Sequence, residues 1–269
     1  MHRFHIPPDR CREPSLRLTD REAHHAIHVL RARRGERVAV LDGAGREFLC
    51  EVQDLGRDTV QLAVVHQNFV PPLPCQITLL QAIPKGKLFE SIVQKTTELG
   101  VARVVPILSE RVVAHLDQEE SAQKADKWRQ IAVEAIKQCG APWLPQIETP
   151  VTPKQFLARK ETFELPLIAS LQNDRRHPRE HFREFQAGHG RLPASVCVWI
   201  GPEGDFTPAE MNTIKAEGAL PITLGRLVLR SETAAVYCLS ILNYELQSTS
   251  LFTLPEPGHE TRGPDVPDA

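Results

Sequence analysis

The chain has 269 residues, 41% hydrophobic and 25% charged, which is enough to bury a sizeable core in one large domain or two moderate ones. Lysine and arginine number 32 against 34 aspartate and glutamate, a net charge of -2 that neither favours nor excludes a nucleic-acid partner, since a local basic patch is what matters. No segment has the unbroken apolar length of a membrane span, and the charged, proline-containing start is unlike a leader, so a cytoplasmic protein without membrane contact is expected.

Residues 1–70 read as a small barrel-like β unit with one helix. Thr19-Asp20-Arg21-Glu22 has the spacing of a capping box and predicts a helix to about residue 31, closing near Gly35. Strands are expected over 37–41, 47–53 and 59–65, separated by glycine or aspartate. Arginines crowd this unit, with Arg3, Arg10, Arg12 and Arg17 followed by Arg31, Arg33, Arg34 and Arg37, and no lysine among them. The guanidinium fork suits bidentate phosphate contacts, which sets a nucleic-acid surface against the plainer reading of a solvated charged face. His24, His25 and His28 cluster on the predicted helix without further ligands at metal-binding spacing, so no metal is expected.

Pro71-Pro72-Leu73-Pro74 predicts a stiff linker over 71–74. From 75 to 248 strand and helix patterns alternate, as a mainly parallel α/β sheet requires. Strands are expected over 77–83, 104–108, 165–171, 196–200 and 221–224, and helices over 86–99, 124–139 and 232–247. The apolar stripes of those helices, such as Leu88, Phe89, Ile92 and Val93, read as core. Residues 249–269 are rich in proline and acidic residues and poor in apolar ones, which predicts a disordered tail. Six scattered cysteines without a CxxC pair predict free thiols in a reducing compartment.

Two loops carry the functional information. Val196 to Ile200 is apolar without alternation, as in a parallel strand covered on both faces, and Gly201-Pro202-Glu203-Gly204 follows it. Thr207-Pro208-Ala209-Glu210 then opens a helix with a capping box. The second loop, 224–234, likewise leads from a short apolar run into a helix. Strand, glycine loop and capped helix is the order in which open α/β sheets build binding crevices, with exposed N–H groups to hold a polar ligand. One such loop is as readily a plain tight turn, whereas two point to a ligand site. Lys85-Gly86-Lys87-Leu88 lacks the remaining P-loop residues, and neither GxGxxG nor GxSxG occurs, which argues against an NTPase, a Rossmann dehydrogenase and an α/β-hydrolase.

Ile200-Gly201-Pro202-Glu203-Gly204, Leu224-Gly225 and Leu229-Arg230-Ser231-Glu232-Thr233-Ala234 resemble the cofactor loops of the RsmE family of 16S ribosomal RNA uridine-N3 methyltransferases, within the SPOUT or α/β-knot superfamily. The likeness extends through Arg3-Phe4, Ala23-His24-His25, Val29-Leu30-Arg31, Asp42-Gly43, Lys85-Gly86, Glu98-Leu99-Gly100, Trp128 and Gln138-Cys139-Gly140. It implies a PUA-like RNA-binding β-barrel over 1–70, then an α/β SPOUT domain over 75–248 whose trefoil-knotted, mainly parallel sheet carries helices on both faces. It also implies S-adenosyl-L-methionine as cofactor, 16S rRNA or the small ribosomal subunit as partner, and a homodimer through the knot domain. Position by position, cofactor contacts fall on Leu171, Gly201, Pro202, Glu203, Gly204, Leu224, Gly225, Leu229, Arg230, Ser231, Thr233 and Ala234. RNA contacts fall on Arg3, Arg10, His24, Arg31, Arg33, Arg34, Lys85 and Lys87.

Uracil N3 holds a proton at neutral pH, so methylation there needs a base and a stabilised anion. Arg230 is the candidate for the anion and Glu232 for the base, although a glutamate here also suits the helix N-terminus alone. The chain departs from the family at Asp205, where glycine is usual, at Leu227, where many members have arginine, and at Ala141 and Trp143, where arginines are frequent. Alternative readings are a SPOUT enzyme with another target, such as a ribose 2′-O position, and a non-catalytic ribosome-associated RNA-binding protein.

Overall fold

The computed structural model describes residues 1–11, 14–111 and 117–247. Arg12 and the tail predicted from 249 lie outside them.

The first sheet holds β1 (Arg3–His5), β2 (Ser15–Thr19), β3 (Arg37–Leu41), β4 (Arg46–Leu55) and β5 (Thr59–Phe69), in the order β1-β3-β4-β5-β2. Alternation sets the register of β2, which buries Leu16 and Leu18 against Val60 and Leu62 of β5 and exposes Ser15 and Arg17. Phe4, Val38, Val40 and Phe48 complete this core.

The predicted first helix is α1 (Asp20–His24), continued by a π-helical turn at His25–Val29. Its capping box does not form. The Thr19 hydroxyl donates to Asp20 Oδ2 at 2.7 Å, and Glu22 instead accepts from Lys137 Nζ at 2.7 Å and from the His5 backbone N–H at 3.3 Å. A bond between two ionised partners, one a sheltered ammonium, outweighs a capping bond to the same carboxylate from an uncharged backbone N–H.

The second sheet is parallel throughout. It holds β6 (Gln76–Ala82), β7 (Arg103–Ile107), β8 (Gln146–Ile147), β9 (Leu165–Ala169), β10 (Ser195–Ile200) and β11 (Leu220–Ile222), in the order β11-β9-β10-β6-β7-β8. The helices are α2 (Leu88–Glu98), α3 (Gln118–Cys139), α4 (Pro153–Leu157), α5 (Pro178–His189), α6 (Pro208–Ala216) and α7 (Ser231–Gln247). The pleat of β10 divides its side chains between two cores. Val196, Val198 and Ile200 join Phe89, Trp128 and Leu239 from α2, α3 and α7, whereas Cys197 and Trp199 join Phe156, Met211 and Ile214 from α4 and α6. Full burial of each such large side chain contributes roughly 1.5–3 kcal/mol. Helix α3 starts earlier than expected because Asp117 and Glu120 form a capping box. Neither β1, β2 and β8 nor α4 and α5 was anticipated.

The segment after α3 returns to the first unit. Trp143 Nε1 donates to the Val70 carbonyl at 2.9 Å, its ring meets Phe69 edge-on, and Leu144 N–H donates to the Gly43 carbonyl at 3.0 Å. Trp143 thus sits at the joint between the two sheets. No helix among the described residues is long and apolar enough to cross a membrane.

Candidate functional site

The loops that follow β9, β10 and β11 meet at the carboxyl edge of the second sheet and enclose a cleft of about 690 Å³, open mouth included. Of the predicted cofactor residues, Leu171, Gly201, Pro202, Glu203, Leu224, Gly225, Leu229, Ser231 and Ala234 line it. Gly204, Arg230 and Thr233 do not. Sequence reasoning missed Ser170, Arg175 and Thr223 on the same walls, and it named Asp205, Arg226, Leu227 and Val228 in or beside the two loops without giving them a cofactor contact.

The two glycine loops are tied together by Ser231. Its hydroxyl donates to the Gly201 carbonyl at 2.8 Å and accepts from Gln81 Nε2 at 2.9 Å, and Gln81 Nε2 also donates to the Ala82 carbonyl at 2.8 Å. Gln81 is fully buried near the end of β6, and its Oε1 has no partner. The one polar side chain in the apolar run Leu79 to Ile83 was the available clue to it. Gly201 sits in tight quarters, because a Cβ there would lie 3.0 Å from Asp205 Oδ1 and 3.2 Å from the Phe206 nitrogen. Gly225 is required by conformation, with φ at 114° and its N–H braced by the Thr223 hydroxyl at 3.2 Å.

The 201–205 loop is held from outside as well. Asp205, at φ 62°, accepts from Phe206 N–H at 2.8 Å and from Leu171 N–H at 3.4 Å, joining the loops after β9 and β10. The Arg111 guanidinium donates to the Gly204 and Asp205 carbonyls. The predicted capping box of α6 is present, and buried Glu210 also accepts from Ser109 Oγ at 3.0 Å and Glu110 N–H at 2.9 Å. Lys85 reaches this loop through its backbone N–H, which donates to Glu203 Oε1 at 3.4 Å.

Arg230 and Glu232 flank Ser231 at the start of α7, exposed and half-buried respectively. Among the described residues neither side chain has a hydrogen bond or ion pair. Arg31, Arg33 and Arg34 are exposed ahead of β3, with no side-chain partner among the described residues. Lys85, Lys87 and His24 are exposed, and the His24 ring lies 4.7 Å from that of His28. Arg10 donates to the Thr19 hydroxyl, and Arg3 NH1 donates to the Lys137 and Gln138 carbonyls at 3.4 and 3.2 Å, at the end of α3. No group of three His, Cys, Asp or Glu placed to hold a metal occurs among the described residues.

Residues 71–243 match the model of an RNA methyltransferase domain, and residues 18–65 match that of an RNA methyltransferase PUA domain. The chain is similar to the ribosomal RNA small subunit methyltransferase E of Synechocystis sp., at 33% identity over 92% of this chain and 78% of that one. The protein of the same name from Bacillus subtilis is 30% identical over 87% of this chain and 91% of its own. The crystal structure of a ribosomal RNA small subunit methyltransferase E from Neisseria gonorrhoeae bound to S-adenosyl methionine superposes with a TM-score of 0.79. It is 26% identical and covers 91% of this chain and 98% of its own.

Proposed function

The chain belongs to the ribosomal RNA small subunit methyltransferase E family, and on that premise we propose that it methylates N3 of a specific uridine in 16S ribosomal RNA, with S-adenosylmethionine as donor. Its PUA-like first unit and parallel-sheet second unit are the architecture that the sequence resemblance implied. The observation that carries the reading is the convergence of the loops after β9, β10 and β11 on one cleft.

The residues present suit an adenosyl cofactor. Leu224, Leu229 and Ala234 offer apolar surface, and Gly201 and Gly225 leave backbone groups approachable. When bound, S-adenosylmethionine supplies a methyl group activated on a positively charged sulfur. The protein must then free the N3 lone pair. Glu232 would accept the N3 proton on its carboxylate and so leave the N3 lone pair free for the donor's methyl group. Arg230 offsets the charge that develops on a uracil oxygen. Holding the two reacting atoms in line contributes the larger share, roughly 7–11 kcal/mol.

RNA phosphates are held by Arg10, Arg31, Arg33 and Arg34, together with Arg3, His24, Lys85 and Lys87. The RNA-binding unit spans 1–70, the linker 71–74 and the knotted methyltransferase domain 75–248. Two such domains pair as a homodimer in the cytoplasm, a reading supported by Tyr237 and Tyr244, exposed seven residues apart on α7. Mass spectrometry of 16S rRNA treated with the protein and S-adenosylmethionine tests the function. A methyl on N3 of one uridine supports it, a methyl on a ribose 2′ oxygen transfers the target, and failure to bind the cofactor leaves an RNA-binding protein.

A further inference from the structure

Asp205 occupies a backbone position that favours glycine. Its φ of 62° is left-handed, a region that aspartate tolerates better than most residues but still at a cost relative to glycine. The carboxylate gained at that position is built into the cleft wall. One oxygen accepts from Phe206 N–H at 2.8 Å and lies 3.0 Å from where a Cβ on Gly201 would be, and the other faces Leu171 N–H at 3.4 Å. Backbone amides hold the group in place without neutralising it. No described lysine or arginine forms an ion pair with it, and the Arg111 guanidinium bonds to the Gly204 and Asp205 carbonyls instead.

The other charges on the walls are Glu203, Arg175 and Arg226. Arg175 donates to the Leu171 and Gln172 carbonyls, which fixes it beside the β9 loop. The cleft therefore presents anchored charge of both signs, which matches a ligand that is zwitterionic at its amino-acid end and cationic at sulfur. Loss of the methyl group removes only the sulfonium charge. A fixed carboxylate in a partly enclosed cleft distinguishes those two states through Coulomb attraction, which strengthens as water is excluded.

We propose that Asp205 is a charge-selecting residue of the cleft, whose carboxylate favours the sulfonium substrate over its neutral thioether product. The inference rests on the cofactor assignment above and adds to it a means of limiting product inhibition. Calorimetric titration of wild type, Asp205→Asn and Asp205→Gly with S-adenosylmethionine, S-adenosylhomocysteine and sinefungin tests it. Sinefungin carries an amine cation near the sulfonium position, so it reports charge without methyl transfer. Asp205→Asn should weaken S-adenosylmethionine and sinefungin by about fivefold, the factor for about 1 kcal/mol, and S-adenosylhomocysteine by less than twofold. Asp205→Gly, which suits the left-handed backbone and so should fold at least as well, should lose the same preference. Equal weakening of all three ligands, or no change in any, overturns the proposal while leaving the cofactor assignment standing. A wild-type protein that binds none of the three removes that assignment and this inference with it.

Discussion

Ser231→Ala is the sharpest perturbation of the cleft, because one hydroxyl joins two loops that lie thirty positions apart in sequence. The substitution removes the bond to the Gly201 carbonyl at 2.8 Å and the bond from Gln81 Nε2 at 2.9 Å. Gln81 is fully buried, so the freed N–H has no water to turn to. Two hydrogen bonds of about 1 kcal/mol each, plus a share of the desolvation penalty for the stranded groups, come to about 3 kcal/mol. For a domain of this size that lowers the thermal midpoint by roughly 6–12 °C. Differential scanning calorimetry reads the stability. Titration with S-adenosylmethionine reads whether the untied loops still hold their ligand, and affinity should fall along with the midpoint. The double variant Gln81→Leu with Ser231→Ala removes the stranded donor together with the already unpartnered Oε1, so it should be less destabilised than the sum of the singles. A wild-type midpoint and affinity for Ser231→Ala, or a double variant worse than that sum, refutes the tie as drawn.

Lys137→Met strands Glu22, whose carboxylate sits 2.7 Å from an ammonium only 6% exposed, and should cost about 3–5 kcal/mol in urea denaturation. Adding Glu22→Gln should restore part of that. Burial pushes the thiols of Cys50, Cys75, Cys197 and Cys238 up to about 12, so a thiol reagent at neutral pH should label exposed Cys139 first and those four only on unfolding. Since these values are raised above 9.0 for the free group, their contribution to stability is intact below pH 9 and declines as the pH climbs towards 12; stability that rises over that interval contradicts it. Replacing Arg31, Arg33 and Arg34 together should flatten the logarithmic salt dependence of RNA binding by about 2–3, at roughly 0.7–0.9 per phosphate contact, and leave cofactor affinity unchanged.

The sequence made legible what local chemistry decides. The unbroken apolar run of β10, the Thr207 and Glu210 capping box and the glycines of both cleft loops each follow from neighbours a few residues away, and each is present. Contacts between distant residues were not legible. The box at Thr19 and Glu22 looks the same as the one at Thr207 and Glu210, yet Glu22 takes Lys137 as partner, 115 positions on. Gln81 and Arg111 brace the cleft for the same reason, since both act across folded space on loops read only from their own residues. Short elements such as β8 and α4 are stabilised by packing rather than by their own period, so no repeat announces them.

The motif pieces that carried the family likeness in the first unit are explained in part by the joint rather than by RNA. Arg3 and Gln138 lie 135 residues apart in sequence, yet Arg3 NH1 bonds the Lys137 and Gln138 carbonyls at the end of α3. Gly140 eases that approach, because a Cβ there would lie 3.1 Å from the Arg3 guanidinium carbon, and its φ of 81° itself favours glycine. Gly43 acts alike on the other side, with Leu144 Cβ 2.9 Å from where its own Cβ would be and Leu144 N–H bonded to its carbonyl. Lys137 adds an ion pair to Glu22, and Trp143 closes the gap with its indole on Val70 and Phe69. A surface that docks RNA on one sheet serves a cleft on the other only if the two hold a fixed distance. These contacts supply that constraint, and Trp143 contributes to it through its bond to the Val70 carbonyl and its edge-on contact with Phe69.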